Sequence, residues 1–391
     1  MRVKNTGLRG VIVADSKISH IDGKKGILLY RGFRIEDLAN HSSFEEVVYL
    51  LLNGSLPNRR ALEGFRTRFE ASREVPDFLF DSFRAWPKQS DPMDVLMASV
   101  PLLAVADPER GIDSREADIA KAIRLLARLP AAAAGWNRIR NGLEPVPPQV
   151  GLSHAADFLR RFSGATPSEE VARTLDISMI LQAEHTLNAS TFACRVAAST
   201  GAHLYAAVAA GLAALSGSWH GGANARVMEM LLDIEAHADS DEYIAQWVRR
   251  RLAGGQKIMG LGHAVYKTFD PRSEILRAAA RRLAGNCGRE RRFHILAAIE
   301  KVCHEEFERR GKPEIKTNVD FYSGFVYSMM GIPIDMMTAM FAFSLAAGWC
   351  AHAIEEKFAE AGGEAAVYEP SAEYVGVRGA EIDRSRDSVG K

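Results

Sequence analysis

Three short polar clusters interrupt apolar sequence, and each contains residue types that serve acid–base chemistry. The first, SGSWHGGANARV, places His220 before two glycines at the start of a predicted helix. The positive end of a helix dipole favours a neutral imidazole, which can donate a hydrogen bond to a carbonyl oxygen. A histidine that only flanks the helix is the alternative interpretation, and this motif alone leaves it open.

The second cluster, QKIMGLGHAVYKTFDPRSEIL, is a glycine-rich stretch with one histidine and two cations. His263 follows Gly260 and Gly262, and Lys267 and Arg272 come a few residues later. Flexible backbone and two cations suit a phosphate or a carboxylate, although a solvated basic loop has the same composition. The third glycine of a dinucleotide-binding fingerprint is missing, so the sequence does not predict a Rossmann or P-loop site.

The third cluster, NVDFYSG, sets Asp320 in an apolar run. An unpaired carboxylate is costly to bury, and burial raises its pKa. Asp320 would then accept a proton more readily near neutral pH. The alternative is structural, because aspartate also caps helices, and a helix is predicted from about Tyr322.

The remaining histidine and cysteine positions predict neither a metal site nor a disulfide framework. In QAEHTLNASTFACR, His185 and Asn188 lie on a predicted helix face, where a hydrogen-bonded core histidine is the simpler interpretation. The four cysteines are widely scattered without a CxxC pair, which indicates a reducing compartment. HEEFE after residue 303 lacks the second histidine of an HExxH zinc motif.

The elements that must position these clusters are predominantly helices. A hairpin is predicted around the turn dipeptide Asp22-Gly23, and Ser43 with Glu46 forms a capping-box pattern before a helix that Gly54 ends. Further helices are predicted over residues 94–106, 116–129, 154–162, 167–191, 202–215 and 224–236. The predicted class is all-α with a small N-terminal β-hairpin.

Length and charge narrow the class of protein. At 391 residues the chain exceeds the size of one hydrophobic core, which predicts two domains. Its 49 basic and 49 acidic residues give no net charge, which argues against a nucleic-acid partner. Neither a signal peptide nor a membrane-spanning stretch is expected, so a cytoplasmic location is predicted.

Taken together and in this order, the motifs resemble the citrate synthase family. The resemblance is carried by GLRGVIVADSKISHIDGKKGILLYRG, LQAEHTLNASTFACR, HGGAN, GLGHAVYKTFDPR, NVDFYSG and GWCAHAIEE. It implies an all-α homodimer with a large domain of residues 1–221 and 336–391 and a small mobile domain of residues 222–335. It also implies condensation of an acyl-CoA with a 2-oxo acid, by default acetyl-CoA with oxaloacetate, followed by thioester hydrolysis. Coenzyme A is then part of a substrate, and no metal or tightly bound cofactor is implied.

The resemblance also implies roles for individual residues. His220 corresponds to the histidine that polarises the thioester carbonyl, Asp320 to the base that removes the α-proton, and His263 to the donor at the acceptor ketone. Other positions correspond to residues that bind the acceptor, namely His185, Asn188, Arg272 and Phe341. Positions expected to bind coenzyme A are Lys267, Gly260 and Gly262.

Two positions expected to bind the acceptor depart from the family pattern. Family members that use oxaloacetate have arginine where this chain has Leu345, and again where it has Glu369 before Pro370. The hypothesis is that the condensation machinery is kept while the acceptor or the acyl group differs, unless Arg378 substitutes for a missing arginine. A citryl-CoA lyase or thioesterase activity and a non-catalytic metabolite-binding role are the alternatives.

Overall fold

The computed structural model describes residues 7–8 and 10–377. Arg378 and the polar C-terminal segment, in which a loosely held tail is expected, lie outside these residues. Within them the chain is mostly helical, with one small sheet near the N-terminus. The predicted all-α class is confirmed.

The sheet is the predicted hairpin with one added strand. Strands β1 (Ser19–Asp22) and β2 (Ile27–Tyr30) pair antiparallel, and β3 (Phe33–Arg34) pairs with β2. The Asp22 carboxylate accepts from the backbone N–H groups of Lys24 and Lys25, both at 3.1 Å, which fixes the turn. The third strand has two residues, too few for an alternation pattern to predict it.

Sixteen α-helices follow within the described residues. They are α1 Ile35–His41, α2 Phe44–Asn53, α3 Arg59–Ala71, α4 Asp77–Ala85, α5 Pro92–Val105, α6 Arg115–Arg140, α7 His154–Ser163, α8 Glu169–Gln182, α9 Ala189–Ser199, α10 Leu204–Ser216, α11 Ala223–Glu235, α12 Asp241–Ala253, α13 Pro271–Asn286, α14 Glu290–Arg309, α15 Val319–Met329 and α16 Met337–Lys357.

Helices with clear end signals agree with the sequence. Ser43 and Glu46 form the capping box of α2, and Gly54 ends that helix in the left-handed conformation at φ 84°. Helices α5, α7, α10 and α11 begin and end within two residues of the predicted bounds. The side chains of Asp91, Ser153 and His203 cap α5, α7 and α10, whereas α11 begins after Gly222 without a side-chain cap.

Two predicted helices are wrong in extent. The helix predicted over 116–129 continues as α6 through Pro130 to Arg140, because the segment around the proline is buried and packing outweighs the lost hydrogen bond. The helix predicted over 167–191 is broken between α8 and α9. There the Tyr30 hydroxyl donates to the Glu184 carbonyl at 2.8 Å, and Asn188 caps the new helix.

Helix α16 runs through the core, surrounded by α2, α5, α6, α8, α9 and α10. Gly211 of α10 lies against the Trp349 ring, where a Cβ would come within 2.9 Å of it, so small residues let these helices approach. The span Ile334–Lys357 is long and apolar enough to cross a membrane, contrary to the expectation that no stretch is. Its apolar window is 89% buried inside the protein, which is the environment of a core helix.

Helices α11 to α15 pack mainly against one another. Helix α15 contacts α11 and α13, while α14 contacts α11, α12 and α13. This arrangement brings the HGGAN helix, the GLGH loop and the NVDF helix together, although they are distant in sequence. The three polar clusters therefore meet.

Candidate active site

His220 lies in the turn before α11, with its imidazole against the start of α9. Its Nε2 accepts a hydrogen bond from the backbone N–H of Ser190 at 3.1 Å. A ring nitrogen that accepts from an amide carries no proton, so the neutral ring has its proton on Nδ1. Burial lowers the pKa of His220 below its ordinary value. His220 therefore presents one neutral N–H donor.

Asn188 acts on His220 through Ser190, which contacts both residues. Its Oδ1 accepts from the backbone N–H of Thr191 at 3.0 Å, which caps α9, and from the Ser190 hydroxyl at 2.7 Å. The side chain thus orients Ser190, which in turn fixes the histidine. Its expected part in acceptor binding stays a prediction.

His263 is the second neutral donor of the site. Its Nδ1 accepts from the backbone N–H of Val265 at 3.0 Å, which leaves the proton on Nε2. Burial, aided by the positive charge of Arg272, lowers the pKa of His263 to about 4. The ring is therefore neutral near pH 7.

The glycines before this histidine tie its loop to the start of α15. The backbone N–H of Gly262 donates to the Lys316 carbonyl at 2.8 Å, and that of Asn318 donates to the Gly260 carbonyl at 2.9 Å. A Cβ on Gly260 would lie 2.9 Å from Phe321, and its φ is 76°. Only glycine fits this position without strain. Coenzyme A binding at Gly260 and Gly262 stays a prediction.

The N-terminal hairpin supports the other side of the same loop. The backbone N–H of Lys267 donates to the Gly23 carbonyl at 2.8 Å. A Cβ on Gly23 would lie 2.3 Å from the Val265 carbonyl oxygen, so the turn and the loop are in close contact. The Lys267 side chain is exposed, with Nζ 3.1 Å from the Ala264 carbonyl oxygen. Its expected contact with coenzyme A stays a prediction.

Asp320 lies in the first turn of α15, and it is not the helix cap. Asn318 caps the helix, because its side chain accepts from the Asp320 backbone N–H at 3.0 Å. The alternative that Asp320 caps a helix from about Tyr322 is therefore wrong. Burial raises the pKa of the Asp320 carboxyl to about 6, against the opposing effects of Arg272 and Arg226.

Helices α11 and α15 touch close to both catalytic candidates. A Cβ on Gly324 would lie 2.6 Å from the Asn224 carbonyl oxygen, so the two backbones are in contact there. Asn224 is four residues after His220, and Gly324 is four residues after Asp320. The two helix starts that carry His220 and Asp320 are therefore neighbours.

His185 lies in the break between α8 and α9, not on a helix face as predicted. Its Nε2 is 3.3 Å from the Tyr266 hydroxyl, and its ring centroid is 5.1 Å from that of His263. Burial lowers its pKa well below the ordinary value, with Arg272 acting in the same direction. The two histidines and the arginine form one cluster.

Arg272 is buried and held by Asp270. Its Nε and Nη2 donate to the two Asp270 oxygens at 2.9 and 2.8 Å. The same carboxylate accepts from the backbone N–H of Val319 at 3.0 Å, immediately before Asp320. Asp270 therefore fixes the arginine and the start of α15 relative to each other.

One face of α16 forms a further wall of the site. Its residues are spaced three or four apart, so they share one side of the helix: Thr338, Phe341, Leu345 and Gly348. At one end, Thr338 Cγ2 lies 3.1 Å from where a Cβ on Gly221 would be. At the other end, a Cβ on Gly348 would lie 2.2 Å from Oε2 of Glu184, the neighbour of His185.

The two residues that depart from the family pattern, Leu345 and Glu369, differ in burial. Leu345 is buried on the α16 face, between the ends that contact the His220 turn and the His185 segment. Phe341 is half-buried one turn earlier on this face. Glu369 follows α16 and is exposed. Roles for all three in substrate binding stay predictions.

Four residues near the site were not singled out by the sequence motifs. They are Ser190, Tyr266, Trp219 and Arg226. Ser190 and Tyr266 reach partners 30 and 81 residues away, for which a single sequence has no signal. Trp219 is fully exposed and comes directly before His220. Arg226 follows HGGAN by two residues, so the motif itself points to both positions.

The arrangement suits removal of a proton next to a carbonyl group. Two neutral imidazoles can donate to carbonyl oxygens, while a carboxylate of raised pKa can accept the proton. Residues 7–8 and 10–377 contain no group of three or more His, Cys, Asp or Glu side chains that could hold a metal ion.

Proteins similar to this chain in sequence include citrate synthases and a 2-methylcitrate synthase. Residues 7–365 match the family model described as citrate synthase, C-terminal domain. Citrate synthase of Haloferax volcanii is 42% identical over 90% of this chain and 91% of its own length. A 2-methylcitrate synthase of Shewanella oneidensis is 33% identical over 96% of each chain.

Solved structures extend the similarity to the whole fold. Citrate synthase from Pyrobaculum aerophilum is 36% identical, covers 97% of this chain and 94% of its own, and has a TM-score of 0.89. A Thermoplasma acidophilum citrate synthase in ternary complex with carboxymethyl coenzyme A and oxaloacetate is 30% identical. It covers 99% of this chain and 100% of its own, also with a TM-score of 0.89. The chain is a member of the citrate synthase family.

Proposed function

We propose that this chain condenses an acyl-CoA thioester with a 2-oxo acid and then hydrolyses the new thioester, with acetyl-CoA and oxaloacetate as the reference pair. The observation that supports the proposal is the packing of α11, the GLGH loop and the start of α15 against one another, since these segments carry or adjoin His220, His263 and Asp320. Membership of the citrate synthase family supports the same reaction. Burial lowers the pKa values of His220 and His263 and raises that of Asp320, which supports two neutral imidazoles and a stronger base.

Each of the three side chains has one task in the proposed reaction. The Asp320 carboxylate removes a proton from the α-carbon while the Nδ1–H of His220 donates to the thioester oxygen, where negative charge develops. The resulting carbon nucleophile attacks the ketone carbon of the acceptor. Nε2 of His263 gives its proton to the ketone oxygen, which becomes a hydroxyl group, and the proton that Asp320 removed returns to the imidazole through water before the next cycle. Water then cleaves the thioester and releases free CoA and a carboxylic acid.

The acceptor pocket differs from that of ordinary oxaloacetate-using members. Arg272 is kept, whereas Leu345 places an apolar side chain on the α16 wall and Glu369 is negative. Loss of one partner of a buried charge pair typically costs about 2–5 kcal/mol, or roughly 30- to 5000-fold in affinity. Selectivity between 2-oxo acids therefore differs from the family pattern.

The remaining features follow the family. Residues 222–335 form a mobile domain that closes over the large domain of residues 1–221 and 336–391 and excludes water until the carbon–carbon bond has formed. Two chains form a homodimer, as the resemblance to the family implies. The protein acts in the cytoplasm.

A screen of thiol release tests this function. Purified protein is incubated with acetyl-, propionyl- or a longer acyl-CoA, with and without each of a panel of 2-oxo acids. We expect CoA release that requires the acceptor. Release that is equally fast without any acceptor would indicate a thioesterase, and no release with any pair would contradict the proposal.

A further inference from the structure

Arg226 places a guanidinium group at the His220 end of the site. It lies in the first turn of α11, and Nη2 donates to the Gly221 carbonyl at 3.1 Å. Nη1 lies 3.2 Å from the point that a Cβ on Gly222 would occupy. Helical side chains lean toward the helix N-terminus, so the backbone itself directs this arginine toward His220.

Arg226 is the uncompensated cation near the catalytic carboxylate. Arg226 and Arg272 both lower the pKa of Asp320, so both charges are near it. Arg272 already donates to Asp270 through Nε and Nη2, so of its side-chain nitrogens only Nη1 is left for a substrate carboxylate. Within the part of the chain that the structure describes, no carboxylate lies within ion-pair distance of Arg226, and a carbonyl is its hydrogen-bond acceptor.

The same guanidinium borders the α16 wall that contains Leu345. A Cβ on Gly222 would lie 3.7 Å from Thr338 Oγ1. Arg226 lies beside the same Cβ position. Leu345 is two turns further along this face, about 10 Å away. A cation is therefore present at one end of the wall, while the position expected to supply one is apolar.

We propose that Arg226 binds a carboxylate of the 2-oxo acid acceptor, in place of the arginines absent at positions 345 and 369. The acceptor is then a dicarboxylic 2-oxo acid, with one carboxylate at Arg272, the other at Arg226 and its carbon chain along Leu345. A guanidinium binds a carboxylate through two parallel hydrogen bonds. This inference rests on the proposed condensation reaction.

Arginine variants compared on several substrates test the proposal. KM and kcat are measured for wild type, Arg226→Gln and Arg226→Lys with oxaloacetate, 2-oxoglutarate and pyruvate, at saturating acetyl-CoA. We expect Arg226→Gln to raise KM for the preferred dicarboxylic acid by about thirtyfold or more, with partial rescue in Arg226→Lys. KM for pyruvate and for acetyl-CoA should stay within about threefold. The matched control is Arg282→Gln, an exposed arginine on α13.

Two further readouts separate binding from a structural role. Calorimetric titration with the dicarboxylic acid alone should show the same loss of affinity in Arg226→Gln. Removal of this charge should also raise the pKa of Asp320, so the acidic limb of the rate profile moves to higher pH.

The outcomes distinguish this inference from the proposed function. A wild type that condenses acyl-CoA with a 2-oxo acid, together with an Arg226→Gln variant of unchanged acceptor KM, would overturn the role of Arg226 alone. A change confined to KM for acetyl-CoA would assign the arginine to the other substrate and equally overturn it. A wild type that prefers pyruvate would also contradict it, whereas a chain without condensation activity would overturn both.

Discussion

Asp320 is the residue on which the proposed chemistry depends most. Burial raises its pKa to about 6, so it is largely ionised at pH 7 and is a stronger base than an exposed carboxylate. A base whose pKa lies close to the working pH transfers protons most effectively. The nearby arginines keep its pKa from rising further.

Replacement of Asp320 by asparagine should abolish most of the activity while leaving the fold intact. The two side chains have nearly the same shape, but the amide cannot accept the α-proton. We expect kcat to fall about 10²- to 10⁴-fold. The control is Asp233→Asn, an exposed residue on α11, which should retain wild-type kcat. Activity of Asp320→Asn within twofold of wild type would exclude Asp320 as the base.

The rate should depend on pH through the same carboxyl group. The base acts only when ionised, so kcat/KM should fall about tenfold per pH unit below pH 6 and level off above pH 7. His263, with a pKa of about 4, is mainly neutral above pH 5. A profile measured from pH 4.5 to 9 checks this, and a rate that rises as the pH falls would contradict it.

At this scale the sequence identifies the residue types but not all of their roles. His220, His263 and Asp320 are predicted from their surroundings, and the structure packs the segments that carry them against one another. Asn318 and Asp320 are two residues apart and both are good helix caps, so only backbone geometry shows that Asn318 caps α15. The contact between Ser190 and His220 spans 30 residues and has no local signal.

At the scale of elements, the N-terminal hairpin positions the His263 loop. The turn at Gly23 touches Val265 so closely that no side chain fits between them. Gly26 lies close to Phe269, where a Cβ would lie 2.8 Å from the ring. The small sheet therefore acts on the site although it contributes no catalytic group.

Substitution of Gly23 by alanine should displace the His263 loop. The new methyl group would lie 2.3 Å from the Val265 carbonyl oxygen, so the backbone must move. We expect kcat/KM to fall about tenfold or more, since small misplacements of catalytic groups are costly. Gly64→Ala on α3 is the control, because a Cβ there has nothing within 4 Å. Equal kcat/KM for the two variants would rule out this supporting role.

Elements with local end signals are predicted well, and elements decided by packing are not. The capping box of α2 is a local pattern and is confirmed. The break between α8 and α9 depends on the Tyr30 hydroxyl, some 150 residues away in sequence, so periodicity alone predicts one continuous helix. Likewise, buried surroundings carry α6 through Pro130.

At the scale of the whole molecule, overall charge is less informative than its local distribution. The chain has no net charge, yet Arg226 and Arg272 both act on Asp320. Global balance argues against a polyanionic partner, whereas Arg226, which has no ion-pair partner among the described residues, suits a small acid. The site charge depends on folding, because residues from α11, α13 and α15 supply it.

Domain closure should cover Trp219, which is fully exposed beside His220. Trp136 and Trp349 are fully buried, so they should respond little to ligands. We expect tryptophan emission to shift to shorter wavelength when acyl-CoA and the acceptor bind together, because the indole leaves water. The Trp219→Phe variant should lose the shift. An unchanged wild-type spectrum under saturating ligands would contradict closure over this residue.

The mass of the reaction product tests the central claim most directly. Condensation followed by hydrolysis predicts free CoA and one new acid, whose mass equals that of the 2-oxo acid plus the free carboxylic acid of the acyl group. This product should appear with wild type and be nearly absent with Asp320→Asn. If mass spectrometry finds only the free carboxylic acid and unchanged acceptor, the protein hydrolyses thioesters and the account is wrong.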